Sequence, residues 1–72
     1  MKCINMEKTG SNINNIILSK NKSIKEISDL LGFSSTRSVY KWLSGQTLPS
    51  LDSLIILSEI LETTMDDLII AE

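Results

Sequence analysis

Ser23 to Ser50, SIKEISDLLGFSSTRSVYKWLSGQTLPS, is the stretch whose reading decides the fold. Ser23 and Glu26 stand three apart as a capping box. The serine side chain accepts from the third helical N–H, and the glutamate reaches back to the serine's own N–H. Ile27, Leu30 and Leu31 then recur at i, i+3 and i+4, which makes one apolar face. Gly32 follows at once, where a left-handed residue stops a helix. A second helix is predicted from about Thr36 to Ser44, with Val39, Trp42 and Leu43 on its inner face, and Gly45 ends it. Pro49 cannot continue a helix, and the residue before it leans toward extended backbone.

Working outward, Thr9 is the predicted cap of a first helix over about Gly10 to Lys20, with Ile13, Ile16 and Ile17 inward and a turn at Asn21 and Lys22. Ser50 caps a fourth helix, Leu51 to about Leu61, with Asp52 in the first turn complementing its dipole. Thr64 and Asp67 repeat the capping signal, so a short fifth helix starts near Met65. The fold class is all-α, five compact helices, with a short strand pair joining Cys3–Met6 to Ile69–Ala71. Residues 1–8 are expected to be an arm or short strand and residues 9–70 the domain proper. The central pair of helices with its tight turn describes a helix-turn-helix, whose second helix is the one expected in a DNA groove.

Composition narrows the function. The chain of 72 residues is one domain with a small core. No apolar run reaches the eighteen or so residues needed to span a bilayer, and MKCINMEK is not a signal peptide, which together point to the cytoplasm and no membrane partner. Cys3 stands alone and there is no histidine, so neither a disulfide, a metal site nor another cofactor is expected. An enzyme fails on inventory: no base stands beside Cys3, and no glycine-rich phosphate loop is present.

Net charge is −2, on its face a poor start for a nucleic-acid binder. The distribution reverses that conclusion. Residues 1–50 carry seven cations against three acids, a balance of +4, whereas residues 51–72 carry six acids and no base. Between Asp29 and Asp52 there is no acid at all, as a surface facing phosphates requires.

The order Gly10, Ile13, Ile16, Ser23, Ile27, Leu31-Gly32, Val39, Trp42, Gly45, Pro49-Ser50-Leu51, Leu54, Leu57, Leu61, Met65, Leu68 resembles the Cro/repressor, lambda-repressor-like family from about Thr9 to Ile69. The spacing of Trp42, Gly45, Pro49 and Ser50 is its most distinctive part. The resemblance implies a five-helix DNA-binding domain, usually dimeric, that regulates transcription. It departs from the family in two places. One extra residue lies between Gly32 and Trp42, expected to lengthen the turn around Phe33 to Ser35. Ile17 and Leu43 stand where the family often pairs an arginine with a glutamate, and packed hydrophobes replace a buried ion pair at little cost.

On the outer face of the third helix lie Thr36, Arg37, Tyr40, Lys41 and Ser44. Arg37 and Lys41 are i, i+4 neighbours on one stripe. Arginine's planar fork matches the O6/N7 edge of guanine. The family pattern assigns Thr36, Arg37 and Lys41 to bases. Backbone contacts are expected from Ser23, Ser35, Tyr40, Ser44, Gln46 and Thr47, while Lys20, Lys22 and Lys25 add general attraction. The bland alternative, a solvated polar face, is weaker inside this motif, and Trp42 reads as core.

Leu51, Leu54, Leu57 and Leu61 are expected to fill the core from the fourth helix. That leaves Ile56 and Ile60 as a surface patch, with Ile70 near the C-terminus, for a homodimer contact. The expected partner is double-stranded DNA bearing a near-palindromic operator. Ending at residue 72, the chain resembles a stand-alone phage or bacterial switch repressor without a ligand-sensing or cleavable dimerisation domain. The competing reading is a protein-binding module, such as an antitoxin holding a toxin through the acidic, apolar last third.

Overall fold

The computed structural model describes residues 1–72. Five helices follow in order: α1 Met6–Ser19, α2 Ile24–Leu30, α3 Arg37–Leu43, α4 Leu51–Ile60 and α5 Met65–Leu68. The local signals act where the sequence places them. Ser23 Oγ accepts from Glu26 N–H at 3.0 Å, and Ser23 N–H donates to Glu26 Oε1 at 3.1 Å, closing the capping box. Ser50 caps α4 and Thr64 caps α5, each accepting from the N–H three residues on.

The first four helices end alike. The residue after each C-cap is left-handed: Asn21 at φ 57°, Gly32 at 82°, Gly45 at 81° and Glu62 at 53°. The next residue's N–H reaches back to the helix's last turn: Lys22 to Ile17, Phe33 to Ser28, Gln46 to Lys41 and Thr63 to Ser58. Each ending is a Schellman motif, which satisfies carbonyls the helix leaves unpaired. Two glycines and an asparagine fit it without strain; Glu62 does not announce itself.

α1 is the element around which the others assemble, packing on both α3 and α5. Ile13 and Ile17 on α1 are fully buried with Ile27, Val39, Leu57, Leu61 and Leu68, and Trp42 and Leu54 complete the core. Phe33, from the turn before α3, sets its ring edge-to-face on Trp42 at 5.7 Å, a geometry favoured by the ring quadrupoles. The helices α1 and α3 meet backbone to backbone. A β-carbon on Gly10 would lie 2.6 Å from the Leu43 carbonyl oxygen and nearer still to that of Trp42. Ile17 is fully buried, and Leu43, half-buried, packs against the core.

Several expectations fail where contacts between distant parts of the chain decide. α1 begins at Met6, capped by Asn5, whose side chain accepts from Lys8 N–H at 2.9 Å. Thr9 is not a cap. It is buried one turn into the helix, where its hydroxyl accepts from Ile70 N–H at 3.0 Å. Leu30 and Leu51, expected inward, are 57% and 71% exposed, because no other element covers those sides of α2 and α4. Ile60, expected at the surface, is half-buried and packs against the core. The apolar surface of α4 is instead Leu51, Ile55 and Ile56.

The terminal strands reduce to a single antiparallel bridge between Ile4 and Ala71. Cys3 and Glu72 exchange backbone hydrogen bonds of 2.8 and 2.9 Å, and Asn5 N–H donates to Ile70. Side chains of α1 hold the last residues down. Asn12 donates to the carbonyls of Asp67 and Leu68, and Asn5 and Lys8 bind the two oxygens of the Glu72 carboxylate. Those two donors, Lys8 foremost, hold the Glu72 carboxyl below its usual value of 4.5.

Candidate nucleic-acid interface

Burial of Val39 and Trp42 fixes which way α3 faces. Arg37, Ser38, Tyr40 and Lys41 are left exposed on it. The helix is about 10 Å long at 1.5 Å per residue, so one face presents its polar side chains within a short strip. Arg37 and Lys41 stand one turn apart on it, as the spacing required. Ser38, exposed beside Arg37, was not among the sequence candidates; its small side chain gives no periodic or charge signal.

The start of α3 is unusual in a way that frees a side chain. Thr36 occupies the N-cap position with helical backbone angles and makes no capping bond through its side chain. Ser35 Oγ takes that role, accepting from Arg37 N–H at 3.3 Å. Residues 34–36 form a bend between Gly32 and the helix. Thr36 therefore stands at the head of the strip, half-buried, with a hydroxyl that caps nothing.

The end of α3 is tightly bonded. The Lys41 carbonyl accepts from Gln46 N–H at 3.0 Å, Thr47 N–H at 3.4 Å and Ser44 Oγ at 3.2 Å. The backbone donors of Gln46 and Thr47 are thus committed internally, and only their exposed side chains remain for a ligand. Ser23, likewise, spends its hydroxyl and N–H on the capping box. Tyr40 is 56% exposed and its hydroxyl has no partner in the protein. Of the dimer candidates, Ile56 is 38% exposed, and Ile60 and Ile70 are half-buried.

Two ion pairs exist, Lys8–Glu72 at 2.9 Å and Lys25–Asp29 at 3.4 Å. Lys20, Lys22, Arg37 and Lys41 take part in neither. Both pairs are solvent-exposed and contribute little to stability. Of the five uncommitted cations, Lys2 lies at the N-terminus and the other four belong to α3 and to the α1–α2 turn, and no acid lies between Asp29 and Asp52. The arrangement is suited to binding a polyanion with a narrow helix presented for insertion.

A family model described as helix-turn-helix matches residues 13–68. No curated protein matches the chain. Among solved structures, the restriction-modification controller protein C.AhdI from Aeromonas hydrophila is similar, with a TM-score of 0.78. The likeness covers 88% of this chain and 94% of that one at 22% sequence identity. At that identity it is a likeness of fold.

Proposed function

The chain belongs to the Cro/C1-type helix-turn-helix family of DNA-binding transcriptional regulators, and we propose that it reads the major groove with α3 as a homodimeric repressor. The observation that carries this reading is the division of α3. Its inner side is buried in the core, and its outer side presents Arg37, Tyr40 and Lys41 to solvent with no carboxylate on the helix. Thr36, Arg37 and Lys41 would read base edges, with Arg37 forking onto a guanine. Ser35, Tyr40, Ser44, Gln46 and Thr47 would touch the backbone. Ser23 joins them by position at the head of α2.

One domain offers few cations, so two are needed for a useful affinity. A dimer would set two copies of α3 about 34–36 Å apart, one DNA turn, on a near-palindromic site. The exposed apolar side of α4, Ile56 with Leu51 and Ile55, supports a contact between copies, to which the half-buried Ile60 and Ile70 would add. Occupying such a site would repress by covering the sequence. The toxin-binding alternative would use the same apolar surface.

Selection from random-sequence duplexes tests the proposal, and an inverted repeat is the expected result. On the selected site, Arg37→Ala should cost about 1–3 kcal/mol and relax preference at one base pair per half-site. An Arg37→Ala, Lys41→Ala double variant that binds as tightly and selectively as the unmodified protein would remove α3 as the reader.

A further inference from the structure

Residues 1–50 hold three acids, Glu7, Glu26 and Asp29. Two are engaged: Glu26 closes the capping box of α2, and Asp29 pairs with Lys25. Glu7 is exposed and takes part in neither ion pair. It lies in the first turn of α1, far in sequence from the acid-free segment, but the fold returns it there. A β-carbon on Gly45 would lie 2.9 Å from the Glu7 Cα and 3.0 Å from its Cγ. Gly45 sits in the turn Ser44–Thr47, whose side chains are the proposed phosphate contacts. An unpaired carboxylate therefore abuts the part of the surface that must approach the DNA backbone.

We propose that Glu7 is an affinity-setting residue of the DNA interface, a negative charge placed beside the Ser44–Thr47 turn that opposes phosphate and weakens backbone binding irrespective of sequence. The inference rests on the reading of α3 and its following turn as the DNA-binding surface. Its consequence is that a single domain binds the DNA backbone more weakly, so occupancy leans further on two domains engaging base edges together. A like charge about 7 Å from a phosphate in water weakens binding roughly threefold per domain, and salt removes the effect by screening.

The test uses fluorescence anisotropy with a labelled mixed-sequence duplex and with the selected operator, in dilute and in concentrated salt. Glu7→Gln should tighten both complexes by about threefold per bound domain in dilute salt, Glu7→Lys by more, and the gain should fade as salt rises. Glu59→Gln, which makes the same change of net charge on α4, should change neither. Equal affinity for the unmodified and Glu7→Gln proteins overturns the inference. So does an equal gain from Glu59→Gln, which would make net charge and not placement the cause. Binding lost in the Arg37→Ala, Lys41→Ala variant but unaltered by Glu7→Gln sinks this inference alone. Binding that survives the double variant sinks the reading of α3, and the phosphate role of Glu7 with it.

Discussion

Gly10→Ala sets helix propensity against tertiary packing, and the two predict opposite signs. Gly10 lies in the interior of α1. In an open helix, replacing glycine by alanine is worth about 0.8–1 kcal/mol of added stability. At this site the new β-carbon would meet backbone, not side chain: the Leu43 carbonyl oxygen at 2.6 Å, its carbon at 2.9 Å, and the Trp42 carbonyl oxygen closer still. Carbon atoms in ordinary contact keep about 3.5–4.0 Å. Neither carbonyl can swing aside as a side chain would, so α1 and α3 must part by most of an ångström. Overpacking of that kind costs about 1–3 kcal/mol. The Trp42 carbonyl also accepts from Gly45 N–H, so the displacement pulls at the motif that ends α3. The upper half of the range is therefore expected, and the net loss after the propensity gain is about 1–2 kcal/mol.

For a domain of this size each kcal/mol moves the melting temperature by about 4–8 °C. Thermal unfolding followed by circular dichroism should show Gly10→Ala melting at least about 5 °C lower. Asn15→Ala, at an exposed interior position of the same helix, isolates propensity and should melt slightly higher. A Gly10→Ala protein that melts at or above the unmodified one would refute the close approach of α1 and α3.

Other outcomes follow from single atoms. Ser28 Oγ is buried without a partner, and an unsatisfied buried hydroxyl costs about 1–3 kcal/mol. Ser28→Ala should accordingly raise the urea midpoint by about 1 kcal/mol worth of stability with an unchanged m-value. Ile17→Arg places an unpaired charge at a fully buried site and should cost about 3–5 kcal/mol, with Leu43→Glu recovering part of it; equal melting of the single and double variants would mean that the two positions do not meet. The folded Glu72 carboxyl is held below 4.5 by Lys8 and Asn5. A depressed folded value means that its contribution is present above the unfolded value and is lost as pH falls through the folded one. An NMR titration should find its midpoint below 4.5, and Lys8→Met should move it back up toward 4.5.

Much of the fold is legible in the sequence because the signals are short. A capping box or a left-handed glycine acts over three to five residues. Ser23, Ser50, Thr64, Gly32 and Gly45 therefore mark their helix ends without reference to the rest of the chain, and the 3.6-residue period shows that Val39 and Trp42 turn inward, hence that Arg37 and Lys41 turn out. Thr9 is where that reading stops. Its hydroxyl is as good a cap as the amide oxygen of Asn5, but Ile70, sixty-one residues away, takes it, and the helix starts four residues earlier than expected.

The same limit covers burial and proximity. The sequence pattern assigns Leu51 to the core and Ile60 to the surface, and the packing of the separate helices reverses both: Ile60 is half-buried against the core and Leu51 is exposed. Gly10 looks like a weak point in a helix until α3 is seen against it. Glu7 looks remote from the acid-free segment until Gly45 is seen beside it. The sequence by itself determined the five helices, their ends apart from the start of α1, and the polar strip of α3, because those depend on neighbours along the chain. Only the tertiary structure decided which apolar faces stay exposed and which charge stands beside the turn that follows α3, because those depend on how separate helices meet in space.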